Sequence, residues 1–151
     1  YIIGLGKACE LAASCMNDEN IRIAKLRDKL EKGLLETCSD ARVNGDTKHR
    51  LPNTSNISFE YIEGEGILYH LSDIGIAASS GSACTSGSLD PSHVLLGIGL
   101  PHEIAHGSLR ITVGMDNTEE DVDYLLEVLP AIVQRLRDMS PLYEDFVKNQ
   151  G

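Results

Sequence analysis

The sequence is short of positive charge. Its 151 residues include 13 Lys and Arg against 23 Asp and Glu, a formal net charge of −10. Nowhere is a basic patch interleaved with aromatics, so neither nucleic acid nor an anionic membrane surface is expected as the main partner. The four cysteines (Cys9, Cys15, Cys38 and Cys84) form no CxxC pair and have no tight metal-ligand spacing. With no secretory signal, they are expected to be free thiols in a reducing, cytoplasmic compartment. No apolar run approaches the length of a membrane span. The sequence also has no Walker loop, no G-x-G-x-x-G after a strand and no G-x-S-x-G nucleophile elbow.

What is present is enough for one core: 42% of the residues are hydrophobic, and one domain is expected over 1–151. Residues 2–16 are apolar and alanine-rich and predict a helix, which Asn17-Asp18 interrupts while capping the next. Ile23, Leu26, Leu30 and Leu34 then recur at spacings of three and four, predicting an amphipathic helix from Glu19 to about Cys38. "ARVNGD" predicts a short strand ended by Asn-Gly. In 53–62, Ile57, Phe59 and Tyr61 alternate with polar residues, as in a half-buried strand. "ILYHLSDIG" predicts a short helix stopped by Gly75, and "IAAS" a brief strand after it. Asp90-Pro91 predicts a helix start. In 108–114, Leu109, Ile111 and Val113 point one way and Arg110 and Thr112 the other. A long terminal helix is expected after Thr118, with acids in its first turn and a kink at Pro130.

Helices at both ends of a few short strands define an α+β class, a mostly antiparallel sheet covered by helices on one face. The other face is left needing cover. Together with an apolar, helix-patterned opening, this leads to the expectation of a piece of something longer.

Several motifs compete for the chemistry. "HEIAH" (102–106) fits the H-E-x-x-H zinc signature. However, Pro101 and Gly107 leave it little more than one turn, and no histidine follows it, so no metal site is expected. The Gly/Ser-rich stretch at 79–88, "SSGSACTSGS", lacks the Lys-Ser/Thr ending of a phosphate loop, and nothing marks a serine that would pair with a histidine. It does present one thiol. Cys9, Cys15 and Cys38 read as small buried hydrophobes, whereas Cys84 has only Ala83 as an apolar neighbour. A thiol with nothing to pack against is either an ordinary loop residue or a nucleophile, because reactivity follows thiolate fraction and access. Arg110, on the polar side of its strand, is either a solvated surface group or a fork for a carboxylate.

At these residues the chain resembles a known family. "SSGSACTSGSLDPSHVLLGIGL" is similar to the active-site segment of cysteine desulfurases of the NifS and IscS type. The resemblance continues through "LPNTSNISFEYIEGEGIL", "AHGSLRITVG", "TEEDVDYLLEVLP" and "RLRDMSPLYEDF". It implies the small C-terminal domain of a fold-type I enzyme that uses pyridoxal 5'-phosphate. It implies Cys84 as the nucleophile that takes sulfur from L-cysteine, within an active-site loop including Ser82, Ala83, Thr85 and Ser86, and Arg110 as the anchor of the substrate carboxylate. It also implies a homodimer when full length and an iron–sulfur scaffold or other acceptor protein for the sulfur. None of the six lysines matches the family's Schiff-base motif, so the cofactor lysine is expected in a large domain outside this chain. The alternative is a non-enzymatic persulfide carrier or interaction module in a split system.

Overall fold

The computed structural model describes residues 1–81 and 90–150. Its first element, helix α1 (Ile2–Thr37), runs without a break through Asn17-Asp18. The expected interruption does not occur. Asn and Asp each cost a helix only about 0.5–0.7 kcal/mol relative to Ala, and continuing a helix avoids a second nucleation. From Ile23 onward the predicted stripe is buried: Ile23, Leu26, Leu30 and Leu34 all lie in the core.

Three strands follow, β1 (Ala41–Val43), β2 (Thr54–Phe59) and β3 (Ser108–Thr112), forming one antiparallel sheet in the order β1-β2-β3. Val43 lies opposite Ile57, Arg42 opposite Ser58, and Asn56 opposite Arg110. The period-2 pattern assigns the faces. Ile57, Phe59, Leu109 and Ile111 enter one core with Leu26, Leu30, Leu34, Val122, Leu125, Leu129 and Val133, so the helices cover that face. Tyr61 does not continue the alternation. It has a φ of +71°, beyond the end of β2.

Helix α2 (Gly64–Asp73) ends as its sequence predicts. Gly75 has a φ of +81°, its N–H donates to Ser72 O, and the Ile76 N–H donates to Leu71 O, the paired bonds of a Schellman stop. "IAAS" forms no strand; only Ser79, just after Ala78, makes an isolated bridge. The helix expected at Asp90-Pro91 begins later, as the five-residue α3 (His93–Gly97) with Ser92 at its N-cap. Helix α4 (His102–His106) is a single short turn. The chain then passes close to β2 at Gly107, whose carbonyl accepts the Phe59 N–H at 2.9 Å. A Cβ here would run into the Phe59 carbonyl oxygen and sit 3.0 Å from Ile62 O, so the position requires glycine for close approach.

Helix α5 (Glu119–Asp138) opens with a capping box. Thr118 Oγ1 accepts the Asp121 N–H at 3.3 Å, and Asp121 Oδ2 accepts the Thr118 N–H at 3.0 Å. The helix is continuous through Pro130. A last helix, α6 (Pro141–Gln150), lays Phe146 on Tyr61 with ring centroids 4.4 Å apart. Among the described residues, no helix is long and apolar enough to cross a membrane.

Candidate active site

The sheet face turned away from the helices is polar. Arg42, Asn56 and Ser58 share it with Arg110 and Thr112, because cross-strand partners project to the same side. Asn44 furnishes one edge, donating from Nδ2 to Asn56 Oδ1 at 2.6 Å and to Ser58 Oγ at 2.8 Å. Arg110 stands exposed on this face.

β3 lies at the sheet edge, and the segment around Ser79 covers part of it. Ser79 and Arg110 exchange both backbone hydrogen bonds, with the Arg110 N–H donating to Ser79 O at 2.6 Å and the Ser79 N–H to Arg110 O at 3.1 Å. The Arg110 Nη2 donates to Ser79 Oγ at 3.3 Å, and Ser79 Oγ donates to Gly81 O at 3.0 Å. Ser108 Oγ donates to Ser80 O at 3.3 Å. Ser79 and Ser80 are thus fastened to the strand that carries Arg110, and Gly81 is tied to Ser79.

Cys84 and its neighbours Ser82, Ala83, Thr85 and Ser86 lie outside the described residues. Among the described residues Arg110 forms no ion pair. Its guanidinium fork retains donors for an incoming carboxylate.

Of the other thiols, Cys38 meets the expectation of burial and Cys9 and Cys15 do not. Cys38 is buried, and that burial pushes its thiol pKa up. Cys9 is exposed and Cys15 half-buried, because the part of α1 that bears them has no packing partner in this chain. His102 and His106 of "HEIAH" pack ring edge to ring face, centroids 4.7 Å apart. They border a cavity of about 580 Å³ that Tyr61, Ile104, Leu136 and Leu142 also line, and no residue of the polar sheet face contributes to it.

Among the described residues three charged groups are buried that sequence reasoning missed, Arg27, Glu31 and Arg137, and the last two are bonded most extensively. Arg137 is 2% exposed and donates to Ser39 O at 2.7 Å, Asp40 O at 3.3 Å and Glu60 O at 3.2 Å. Glu31 accepts from Arg50 through both carboxylate oxygens and from Ser55 Oγ at 2.6 Å. Both sit on the core side of amphipathic helices at positions where the apolar period alone predicts a solvated charge. Only Ser55, an inward-facing polar residue of β2, hints at a partner.

Residues 1–125 match the family described as aminotransferase class V. The chain belongs to that family. Within it, the chain is 56% identical over 151 residues to cysteine desulfurase IscS of Clostridium botulinum, covering 99% of this chain and 38% of that protein. It is 53% identical over 142 residues to cysteine desulfurase NifS of Azotobacter vinelandii, covering 94% of this chain and 35% of the relative. A solved NifS-like protein matches with a TM-score of 0.76 at 33% identity, covering 89% of this chain and 33% of that one. The NifS-like protein of Rickettsia africae gives 0.75 at 29% identity, with 87% and 33% covered. The chain therefore spans little more than a third of the relatives it matches.

The family as a whole uses pyridoxal phosphate, and the lysines here do not fit a site for it. Lys29 pairs with Asp123 at 2.6 Å and Glu119 at 3.5 Å, Lys7 with Glu10 at 3.1 Å, Lys32 with Glu36 at 3.9 Å and Lys148 with Glu144 at 2.5 Å. Lys25 and Lys48 are exposed, on α1 and in the β1–β2 connection. None stands on the polar sheet face, where Arg110 is.

Proposed function

We propose that this chain is the C-terminal small domain of a cysteine desulfurase of the NifS and IscS type. Cys84 is its sulfur-accepting thiol and Arg110 its substrate-carboxylate anchor. The supporting observation is the fastening of Ser79 and Ser80 to the strand bearing Arg110, in a chain 56% identical to a cysteine desulfurase. Cys84 follows Gly81 by three residues, a span of at most about 11 Å of chain. A substrate held by its carboxylate on Arg110 thus lies within working range of that thiol.

In the overall step the carbon–sulfur bond of L-cysteine breaks and a sulfur–sulfur bond forms at Cys84. L-Cysteine and a protein thiol become L-alanine and a protein persulfide, and hydrogen balances without an oxidant. Pyridoxal phosphate supplies the activation of the substrate when bound. The lysine that holds it belongs, in this reading, to the larger part of the protein outside this chain. The persulfide then passes by thiol exchange to an acceptor such as an iron–sulfur scaffold. The whole protein works as a homodimer in a reducing, cytoplasmic compartment.

The test is made on the whole protein, loaded with pyridoxal phosphate and given L-cysteine. Alanine should form, and the peptide bearing Cys84 should become one sulfur atom heavier. Cys84→Ala should bind the cofactor normally and form no persulfide. Sulfur appearing on another cysteine would overturn the assignment, and turnover by residues 1–151 alone would overturn the domain reading. If Cys84 gains sulfur only from a separate desulfurase, the chain is a carrier.

A further inference from the structure

A row of polar side chains crosses the sheet at right angles to its strands. At one end Asn44, the residue after β1, gives its backbone N–H to Asn56 O at 2.8 Å and its Nδ2 to Asn56 Oδ1 at 2.6 Å. Asn56 lies directly opposite Arg110 in the β2–β3 register. At the far end Arg110 exchanges backbone hydrogen bonds with Ser79 and donates from Nη2 to its hydroxyl. Directly opposed residues project to one face with Cβ atoms about 4.5–5.5 Å apart, so Asn56 and Arg110 are side-chain neighbours.

The Asn56 amide has a definite sense. Asn44 reaches it from the β1 side and engages its oxygen. The oxygen and nitrogen of a planar amide diverge, so Nδ2 is turned from Asn44 toward β3 and Arg110. That nitrogen has no hydrogen-bond partner among the described residues. Beside the guanidinium, the middle of the row therefore offers donors without an acceptor, a set matched to a carboxylate. Stability does not account for the arrangement. Asn44 is 9% exposed, its Nδ2 is shared between Asn56 Oδ1 and Ser58 Oγ, and its own Oδ1 is buried with no partner among the described residues. A buried carbonyl left unpaired is destabilising, and breaches of that kind collect at functional sites.

We propose that Asn56 binds the substrate carboxylate beside Arg110, and that Asn44 is the positioning residue that holds its amide for the task. Arg110 supplies the charge. Asn56 Nδ2 donates a further hydrogen bond to the same carboxylate, which fixes its tilt and so the direction in which the rest of the substrate leaves the sheet. This rests on the reading of Arg110 as the carboxylate anchor.

Calorimetric binding to the whole protein, loaded with pyridoxal phosphate, tests this with two ligands. 3-Mercaptopropionate keeps the carboxylate of L-cysteine and lacks its amine, and cysteamine keeps the amine and lacks the carboxylate. Asn56→Ala should weaken 3-mercaptopropionate about tenfold, the effect of one hydrogen bond to a charged group, and leave cysteamine within about twofold. Asn44→Ala should weaken 3-mercaptopropionate about threefold by loosening the amide, with cysteamine again unchanged. Asn56→Thr suits a strand and can still accept from Asn44, but its side chain is too short to reach the ligand, so it should repeat the loss even if Asn56→Ala cannot be obtained folded. Equal binding of 3-mercaptopropionate by the parent and the Asn56 variants would overturn the proposal. Parallel weakening of both ligands, the mark of a merely structural role, would overturn it too, as would a parent that does not bind 3-mercaptopropionate. Neither readout requires turnover. A protein that forms no alanine yet shows this contrast loses the desulfurase reading alone, and an active enzyme indifferent to Asn56 loses only this proposal.

Discussion

Arg110 and Ser79 are joined three times: by two backbone hydrogen bonds of 2.6 and 3.1 Å and by a side-chain contact of 3.3 Å. The pair makes one residue answer to two elements. β3 fixes the arginine on the polar sheet face, and the same residue fixes where the chain departs toward Cys84. The side-chain bond to Ser79 is exposed and of little worth to folding, whereas a carboxylate on the free donors is charge-assisted on both sides.

Arg110→Ala in the whole protein is therefore expected to raise the KM for L-cysteine roughly a hundredfold, from a loss of about 1.5–3 kcal/mol per charge-assisted hydrogen bond. Stability should change by no more than about 0.5 kcal/mol, since the backbone bridge survives. Arg110→Lys should recover only part of the binding, because an ammonium lacks the fork. Steady-state kinetics beside thermal unfolding separate the two effects, and an unchanged KM would remove Arg110 from substrate binding.

Glu31 sets an acid limit on stability. Burial is the largest influence on its carboxyl and pushes the pKa up. The hydrogen bonds from Arg50 and Ser55, with the Arg50 and Arg27 charges, together outweigh it and hold the group below its ordinary value. With the folded pKa depressed, this contribution is complete above the unfolded pKa of about 4.3 and is lost as pH falls through the folded one. Glu31→Gln should flatten the stability–pH curve below about pH 5 and cost about 3 kcal/mol at neutral pH, where Arg50 loses its nearer counter-charge and keeps only Asp28 at 3.9 Å. Urea melts across pH check both.

Arg137 ties two turns together without a carboxylate. Its guanidinium spans Ser39 O, Asp40 O and Glu60 O, next to Asp40 and Tyr61, which have φ values of +50° and +71°. Arg137→Lys is expected to destabilise by about 2–3 kcal/mol, because one ammonium cannot reach both turns and leaves buried carbonyls unpaired. A melt indistinguishable from the parent would show that water replaces the fork.

Gly107→Ala should destabilise by about 2–3 kcal/mol, since the new methyl meets the Phe59 carbonyl, which cannot swing aside without breaking β2 pairing. Gly6→Ala in residues 1–151 should do the reverse and stabilise slightly, because that Cβ meets open space. Circular-dichroism melts of the two variants test the contrast.

Much of the fold was legible because its signals are local. The alternation in β2 and β3, the Thr118 capping box, the Gly75 stop and the buried stripe of α1 all depend on neighbours within a few residues. The misreadings have local causes too. Asn17-Asp18 carry a strong cap signal that a continuing helix overrides, and Asp90-Pro91 carry a start signal that the chain uses two residues later.

By itself the sequence determined the α+β class, the polar side of β3 and the Cys84 motif, which identifies the family. Tertiary structure alone decided that Arg137 and Glu31 go inside, that Ser79 is pinned to Arg110, and that half of α1 is left bare. The reason is physical. A charged residue's burial depends on partners far along the chain, 97 residues from Arg137 to Asp40 and 24 from Glu31 to Ser55, and no periodicity within a helix records them.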